Sequence, residues 1–546
     1  MNHSLDGTEF DYIIVGAGSA GCVLANRLSE DPRTQVVVLE AGGPTDSFLV
    51  EMPKGIGKLV TMPRYTWNYP VSQVASADSP TPETWQRGKG LGGSSAINGM
   101  IYSRGQPQDY KRWAATAGND WGWSEMKRCF RAIEDHELGD DGVRGSGGPL
   151  RVSTNHFRYP LAEKAIAAGV EMGLPLHYED LNREDLEGVG YYCYNIREGR
   201  RESAAKVFLK PAMQRPNLKV QTHAVTERVF IENGRAVGVA CRIAGRSVTL
   251  RCRREVILST GCINNPQLLQ VSGIGPGRLL RDLGIPVVHD SPRCGRGIRE
   301  HLGLLVTFSL SGDRGVNHRL SGLGLAGSAL QYLALKTGPL ANGAMEVGAF
   351  IRTSEDLELP NAQLYVSGWT LEVPKDRSNV APMQSVGRKP GMTITGQLLD
   401  LTSEGTIAIT GSRIDDPLDI QPNWLSTPED RQAMVGMVRQ IRRFANQPSL
   451  APFVADEMSP GHDVDTDEDI LAYALSNALC GTHAVGSCHM GHDRSSVVDP
   501  RLRVRGVDGL RAVDCSIMPA PVSGNTNAPA MAVAWRAAEL ILEDAR

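Results

Sequence analysis

The sequence predicts an α/β protein of two lobes, and its first lobe is expected to bind a dinucleotide. Three observations support this: a strand–glycine turn–helix–strand pattern near the N-terminus, a second glycine-rich segment at residues 88–99, and a length of 546 residues. Single hydrophobic cores stop growing at roughly 250–300 residues, so a chain of this length is expected to divide.

The first pattern runs from residue 11 to residue 43. A strand-like run at 12–15 leads into Gly16-Ala17-Gly18-Ser19-Ala20-Gly21, a helical pattern follows at 22–28, and a second strand at 35–39 ends on Glu40. Gly16 permits the tight turn, Gly18 lets a pyrophosphate approach the backbone, and Gly21 lets the helix pack close to the strand. The helix N-terminus attracts phosphate, and Glu40 can accept hydrogen bonds from ribose hydroxyls. The order predicts a Rossmann-like unit for FAD or NAD in preference to NADP.

Composition excludes several classes of protein. The net charge of −4 offers no basic surface for nucleic acid, and no run approaches the ~18 apolar residues of a membrane span. The N-terminus has no basic region followed by a long apolar one, so we expect a cytoplasmic protein. The ten cysteines form no C-x-x-C pair, which is typical of reduced, mostly buried thiols.

The second glycine-rich segment, Gly88 to Gly99, has no long strand before it in the sequence pattern. Small residues at this density either let the backbone run flush against a flat ligand or form a flexible surface loop. The residues alone leave both interpretations open.

The stretch GKGLGGSSAINGMIYSRG at 88–105 resembles the first signature of the glucose–methanol–choline (GMC) family of flavoprotein oxidoreductases. GCINNPQLLQVSGIG at 261–275 resembles the second signature and departs from it at Cys262 and Asn265. The segment from Arg201 to Val225 and the stretch from His483 to the C-terminus are also similar to the family. Four ordered blocks extend the resemblance over the whole chain.

The resemblance implies a discontinuous FAD-binding domain from residues 1–155, 215–310 and 478–546. It implies a second, α+β substrate-binding domain, built on an antiparallel sheet, from residues 156–214 and 311–477. The sequence itself supports strands at 217–222 and 228–231, followed by a hairpin turn of the Asn-Gly kind at 232–235.

The resemblance and the glycine turn together give the expected FAD contacts. Val225 would meet the adenine through its backbone, and Asp514 the ribityl or phosphate region. Ile97 occupies the position at which some members carry a histidine bonded to the flavin, so we expect non-covalent FAD. The full set of expected FAD contacts is Gly16, Gly18, Ser19, Ala20, Gly21, Glu40, Ala41, Gly92, Ser95, Asn98, Gly99, Met100, Ile101, Val225, Asp514 and Asn527.

The densest polar cluster lies near the C-terminus. By resemblance His483 is the active-site base and Asn525 the second catalytic residue, and Asn527 is an expected helix N-cap before Pro529. A neutral imidazole, with a reference pKa near ~6.5, can take the hydroxyl proton of an alcohol while hydride leaves its carbon for flavin N5. A metal site from Cys488, His489 and His492 is the alternative, but the spacing matches no common zinc pattern, so no metal is expected.

The middle of the chain is less informative. Residues 295–301 resemble a weakened G-x-N-L-x-D-H motif of the family, with departures at Gly297 and Glu300, and we interpret His301 as a structural hydrogen-bonding histidine. Trp369 and Trp424 are interpreted as core residues in preference to pocket residues. Residues 431–444 have helical spacing, with Met434, Met437, Val438 and Ile441 on one packed face.

We therefore predict FAD-dependent oxidation of a small-molecule alcohol to an aldehyde or ketone, with oxygen or another electron acceptor. An apolar, aryl-carrying alcohol is expected, because Glu346 alone makes no aromatic cage for a choline-like substrate. The alternatives are a hydroxynitrile lyase-type protein with non-redox FAD, an NAD-dependent dehydrogenase, and a non-catalytic flavin-binding or light-responsive protein.

Overall fold

The structure is a computed structural model that describes residues 5–74, 80–372 and 385–546. The first four residues of the predicted first domain therefore lie outside the described residues. Two seven-stranded sheets organise the rest of the fold, one mainly parallel and one antiparallel.

The first sheet contains the predicted βαβ unit. Strand Glu9–Val15 pairs in parallel with Val36–Leu39 on one side and with the long strand Arg246–Leu258 on the other. Leu218–Gln221 and Leu510–Ala512 extend the parallel part at its two edges. Ala224–Glu232 and Arg235–Ile243 form an antiparallel hairpin on the far half of Arg246–Leu258, and this hairpin turns at Asn233-Gly234 as predicted.

The second sheet is antiparallel throughout. Its strands, in spatial order, are Val454–Ser459, Leu302–Leu310, Gly391–Leu398, Ala362–Ser367, Val347–Ile351 and Gly188–Tyr191, and Leu479–Cys480 pairs on the inner end of Leu302–Leu310. The predicted domain boundary at residue 310 thus falls at the end of a strand that belongs to this second sheet. The domain ranges themselves stay a prediction.

Helices cover both sheets. The α-helices are Ser19–Leu28, Phe48–Glu51, Ile56–Leu59, Pro107–Ala117, Trp123–Ile133, Pro160–Glu171, Lys210–Ala212, Gly261–Val271, Gly277–Asp282, Asn317–Leu320, Gly322–Leu335, Pro428–Ala445, Asp467–Asn477 and Asn527–Asp544. Within the described ranges, none of them is both long and apolar enough to span a bilayer.

Shorter elements complete the chain. The remaining strands are Thr66–Val74, Pro80–Gly88, Glu134–His136, Leu150–Val152, Ile196–Arg197, Arg200–Arg201, Ile274–Gly275, His289–Asp290, Arg296–Ile298, Leu371–Glu372, Ser385–Val386, Gly405–Ile409 and Leu418–Gln421. Single turns of 3-10 or π-helix lie at Pro53–Gly55, Gly93–Ala96, Asn119–Trp121, Ala205–Leu209, Pro339–Ala341 and Cys515–Ile517.

The amphipathic helix predicted at 431–444 is confirmed and extends over Pro428–Ala445. Met434, Met437, Val438 and Ile441 are buried in the core beside the antiparallel sheet. Residues recurring at three- and four-residue spacing form the face that packs, which is why the sequence pattern identified it.

One sequence interpretation is corrected by the fold. The second glycine-rich segment does follow a long strand, because Thr66–Val74 and Pro80–Gly88 pair as an antiparallel hairpin that runs into it. Its second strand begins Pro-Thr-Pro and continues with polar residues, so it lacks the apolar alternation by which a strand is recognised in a sequence.

Candidate active site

The glycine turn has the steric form expected of it. A Cβ on Gly16 would lie 2.4 Å from the carbonyl oxygen of Ser259, and one on Gly21 would lie 2.0 Å from that of Gly16. Neither position can hold a side chain while strand, turn and helix stay this close. A Cβ on Gly18, in contrast, would project into open space, with its nearest neighbour 3.9 Å away. The helix Ser19–Leu28 has no acidic residue in its first turn, so its N-terminal N–H groups remain attractive to an anion.

Glu40 connects the two glycine-rich segments through hydrogen bonds. Its carboxylate accepts hydrogen bonds from the backbone N–H groups of Ala17, Gly42 and Gly90, at 2.8–2.9 Å. Burial raises the pKa of this carboxyl, and the three N–H groups oppose that shift. Glu40 therefore also holds the wall of the cavity together, while its contact with a ribose stays a prediction.

The second glycine segment packs directly on the first. A Cβ on Gly93 would lie 2.8 Å from the Cα of Gly18. Ser95 points away from the ligand side, because its hydroxyl accepts from the N–H of Ala204 at 3.0 Å. The buried guanidinium of Arg201 donates to the backbone and side-chain oxygens of Asn98 at 2.6 and 2.7 Å. The flexible-loop interpretation of this segment is wrong, because its backbone is packed on both sides.

The C-terminal part of the chain closes the same region. Asp514 accepts from the N–H of Gly261 at 2.6 Å and from the side chain of Asn265 at 2.9 Å. Ser19 donates to the side-chain oxygen of Asn527 at 2.7 Å, which links the first glycine turn to the last helix. The prediction that Asn527 caps this helix is wrong: the N-cap position is Thr526, without a side-chain cap bond, and Asn527 is the first helical residue.

These segments enclose a cavity of about 510 Å³ that runs from the glycine turn to His483 and Asn525. Of the sixteen expected FAD contacts, thirteen line it: Gly16, Gly18, Ser19, Ala20, Glu40, Ala41, Asn98, Gly99, Met100, Ile101, Val225, Asp514 and Asn527. The structure places the other three, Gly21, Gly92 and Ser95, outside the lining, where they shape the wall. Chain segments more than 500 residues apart are thus brought to one cavity.

The backbone of His483 is anchored by the buried ion pair between Glu300 and Arg87. Its backbone N–H donates to Glu300 at 2.5 Å, and the other carboxylate oxygen of Glu300 accepts from Arg87 at 2.8 Å. Gly481 is required two positions earlier, since a Cβ there would lie 1.9 Å from the side-chain nitrogen of Gln397. Glu300 is one of the departures from the family motif, and here it anchors the segment that carries the imidazole.

The orientation of Asn525 follows from a chain of hydrogen bonds. Tyr192 donates its only hydroxyl proton to the carbonyl of Leu364 at 2.8 Å, so it must accept from the side-chain nitrogen of Gln363, 3.0 Å away. The same nitrogen donates to the side-chain oxygen of Asn525 at 3.4 Å. The amide nitrogen of Asn525 is thereby turned toward Nε2 of His483, at 3.2 Å.

Tyr365 completes this arrangement. It accepts from the amide nitrogen of Asn525 at 3.3 Å, and its own proton is shared between the side-chain oxygens of Gln363 at 2.9 Å and Gln397 at 2.5 Å. Every assignment is consistent with the donors and acceptors that these groups possess.

The protonation state of His483 follows. Nε2 faces an N–H donor and must carry a lone pair, so the ring proton lies on Nδ1, which is 3.1 Å from Nδ1 of His301. Burial lowers the pKa of His483 well below its usual value, and His301 and Arg87 lower it further. Burial lowers the pKa of His301 to about 4. Both rings are therefore neutral at pH 7, and the nitrogen of His483 that carries the lone pair is Nε2, on the side of the cavity.

His301 was expected to be a structural hydrogen-bonding histidine, and it does hydrogen-bond. Its partner, however, is the imidazole of the predicted base, so it acts on the site directly through that ring. The prediction missed this contact because the two residues lie 182 positions apart in the chain.

Three thiols line the cavity, those of Cys262, Cys480 and Cys515. Burial raises the pKa of Cys262 to about 12 and raises the pKa values of Cys480 and Cys515 as well. Protonated thiols are poor nucleophiles. The side chain of Ile97 also lines the cavity and cannot form a bond to a ligand.

The expectation that no metal is bound stays a prediction. Among the described residues, the grouping with suitably close ligand atoms is His136, Asp180 and Cys193, which includes none of Cys488, His489 and His492. Nδ1 of His136 accepts from the N–H of Leu138 at 3.2 Å, which places the ring proton on Nε2, the atom that a metal would need.

Glu346 lies in an aromatic setting that the sequence did not reveal. Its carboxylate pairs with Lys54 at 2.8 Å and accepts from Tyr159 at 3.2 Å, and the Lys54 ammonium lies 5.3 Å from the ring centre of Trp369. The ammonium group of Lys54 thus already contacts the acidic and aromatic groups that a substrate cation would need. Trp369 and Trp424 are buried core residues outside the cavity lining, as interpreted.

Sequence reasoning missed Gln363, Tyr365, Gln397 and Tyr192. One signal was available: in the strand Ala362–Ser367, three polar side chains at i, i+2 and i+4, those of Gln363, Tyr365 and Ser367, share one face, and the other face is apolar. That pattern marks a sheet face turned toward a polar site.

Comparison with known proteins supplies the context for this geometry. Two family models, both described as GMC oxidoreductase, match residues 10–303 and 402–534. An alcohol dehydrogenase [acceptor] of Pseudomonas putida is 38% identical over 545 residues, covering 98% of this chain and 96% of that enzyme. The mitochondrial choline dehydrogenase of Homo sapiens is 37% identical over 549 residues, covering 98% of this chain and 90% of that enzyme.

Solved structures show the same fold. The crystal structure of pyridoxine 4-oxidase from Mesorbium loti has a TM-score of 0.86 and 30% sequence identity, and the match covers 97% of this chain and 98% of that one.

Proposed function

The chain belongs to the GMC oxidoreductase family, and from that premise we propose that it uses non-covalent FAD to oxidise an uncharged alcohol to an aldehyde or ketone. The single observation that carries this proposal is the meeting of His483 and Asn525 in the lining of a cavity that is also lined by a dinucleotide-type glycine turn. The relatives named above act on alcohols, which supports the same reaction class.

The residues present fit FAD. The open space over Gly18, the anion-attracting helix start at Ser19 and the backbone of Val225 line one continuous cavity with His483. Glu40 lines the same cavity, and its carboxylate is proposed to accept from a ribose hydroxyl. When bound, FAD supplies a hydride acceptor at its N5 position.

Residues of the chain itself would accept the hydroxyl proton of the substrate. Nε2 of His483 is unprotonated, lines the cavity and accepts from Asn525; an alcohol hydroxyl that enters between these two side chains could give its proton to Nε2 as hydride leaves the carbon that bears the hydroxyl. Asn525 has an N–H directed to that point and can donate to the substrate oxygen. His301 keeps the ring proton of His483 on Nδ1, so the base presents the correct nitrogen.

The substrate is proposed to be uncharged and apolar, with an aryl alcohol as the leading example. The lining of the cavity that contains His483 includes the apolar side chains of Met100, Ile101, Leu305, Ala344 and Met345. Glu346, the acid that could attract a choline-like ammonium, is paired with Lys54 and lies outside the lining. Near Glu346 a quaternary ammonium would therefore find the carboxylate already paired with Lys54 and the Trp369 ring already beside the Lys54 ammonium.

Anaerobic flavin reduction tests the proposal. The purified holoenzyme is mixed without oxygen with benzyl alcohol, an aliphatic alcohol and choline, and flavin absorbance is followed. Bleaching by benzyl or aliphatic alcohol, with little by choline, is the expected result. Faster bleaching by choline would overturn the substrate proposal, and no bleaching by any alcohol would overturn the oxidation.

The same experiment separates the lyase alternative. A hydroxynitrile lyase-type protein would split a cyanohydrin while its flavin stays oxidised. Admission of air after bleaching then distinguishes oxygen from another acceptor, since an oxidase recovers its absorbance rapidly.

A further inference from the structure

The helix Gly322–Leu335 presents its apolar side outward. Leu323 is 93% exposed, Leu330 is 71% exposed and Leu333 is 56% exposed, whereas Ser328 and Tyr332 are the buried residues of this helix. Its pattern is therefore the inverse of an ordinary surface helix, in which leucines face the core.

The exposed residues form one continuous surface. At 100° per residue, Leu323, Leu330 and Leu333 fall on the same side of the helix as Ala326 and Ala334, which are also exposed. Large exposed apolar patches are rare on soluble monomers and mark surfaces that bind something.

Positive charge borders this surface. No charged residue occurs from Leu320 to Leu335, and Arg319 and Lys336 stand at its two ends. Arg200 lies beside Tyr332 and is paired with Glu51. The Arg200–Glu51 pair adds no net charge, so the unbalanced charges at the two ends of the helix, Arg319 and Lys336, are both positive although the whole chain carries a net charge of −4.

We propose that the helix Gly322–Leu335 docks this protein on the surface of an anionic lipid bilayer. Its leucines would enter the boundary between headgroups and acyl chains, and Arg319 and Lys336 would meet the lipid phosphates. A second copy of the chain fits less well, because a two-fold contact through this helix would bring like-charged rims together. This inference does not depend on the proposed function.

The helix is connected to the cavity lining by short chain segments. On its buried side Tyr332 packs edge-on against Phe48 with ring centres 5.8 Å apart, and eight residues after Phe48 the chain contributes Ile56 to the lining. Nine residues after Leu335 it contributes Ala344 to the same lining.

Vesicle binding tests the proposal on the full-length holoprotein. Sedimentation with vesicles of phosphatidylcholine and phosphatidylglycerol is compared with sedimentation with phosphatidylcholine alone. The variant Leu323→Gln/Leu330→Gln/Leu333→Gln is compared with a control, Leu138→Gln/Leu176→Gln/Leu359→Gln, whose leucines are exposed elsewhere. Flavin content and the thermal midpoint establish that both variants are folded.

We expect the wild type and the control to bind the anionic vesicles and the first variant to bind at least about tenfold more weakly. Arg319→Gln/Lys336→Gln should lose the preference for phosphatidylglycerol. Absence of wild-type binding, or equal binding by the first variant, overturns the proposal. A wild-type dimer that the first variant converts to a monomer, without vesicle binding by either, would identify a second copy as the occupant instead.

Discussion

Nδ1 of His301 lies 3.1 Å from Nδ1 of His483, so two histidines share one proton between like atoms. Asn525 decides which ring carries it, because its N–H is directed at Nε2 of His483 and leaves Nδ1 as the protonated atom. His301 is then the acceptor. The relationship gives the proposed base a single tautomer before any substrate arrives.

Replacing His301 should separate this positioning role from a packing role. His301→Leu removes the acceptor, so the ring of His483 loses its partner and we expect a fall in the anaerobic flavin-reduction rate of roughly 5–150-fold, corresponding to about 1–3 kcal/mol. His301→Gln retains an acceptor oxygen and should recover much of that rate. Equal losses in the two variants would indicate that only the size of the ring matters.

Gln363→Leu should affect His483 indirectly, through the orientation of Asn525. Without its amide, Asn525 can rotate and turn an oxygen toward Nε2, which favours the unproductive tautomer. We expect a lower kcat for alcohol with KM changed less and FAD retained, measured by steady-state kinetics beside Gln447→Leu, a glutamine at a distant helix end. An unchanged kcat would show that Asn525 is held without Gln363.

The pH profile should show a base that stays neutral in mild acid. The pKa of His483 is lowered well below its usual value of about 6.5, mainly by burial, so protonation that abolishes proton acceptance occurs only at lower pH. We expect the reduction rate constant to stay near its plateau from pH 8 to below pH 6.5. Loss of rate centred at or above pH 6.5 would mean that the bound cofactor or substrate reverses the effect of burial.

His483→Ala should keep bound FAD but lose flavin reduction by alcohol. Removal of a general base typically costs ~10²–10⁴-fold, and no hydrogen bond joins this imidazole to the glycine turn in the part of the chain that the structure describes. The measurement is anaerobic stopped-flow absorbance, with the exposed His492→Ala as control. Near-normal reduction of the variant would remove His483 as the base.

Acid precipitation should release all of the flavin to the supernatant. Ile97 cannot form a bond to the ring, and the three cavity thiols are kept protonated by burial. Absorbance of the supernatant and of the redissolved pellet is the measurement. Yellow colour retained in the pellet would point to Cys262, Cys480 or Cys515, and their individual serine variants would identify the attachment.

Much of the cofactor end of the cavity was predictable from the sequence. Gly16, Gly18 and Glu40 act within one short βαβ unit, where steric limits on a turn leave few alternatives. The hairpin at Thr66–Val74 and Pro80–Gly88 was missed because proline and polar residues hide its strand pattern. Thr526, and not Asn527, was found at the helix N-cap, and the side chain of Asn527, as the first helical residue, accepts from Ser19 in a distant part of the chain.

The sequence by itself determined the glycine turn, the acid after the second strand and the identities of the imidazole and carboxamide at 483 and 525. Only the tertiary structure decided which nitrogen of His483 is basic, that Glu346 is neutralised by Lys54, and that a leucine face is left uncovered. The physical reason is the separation along the chain between the residues that determine each feature. A turn is constrained by neighbouring residues, whereas the direction of a hydrogen bond or the pairing of a buried charge depends on groups that packing brings from strands and loops hundreds of residues away.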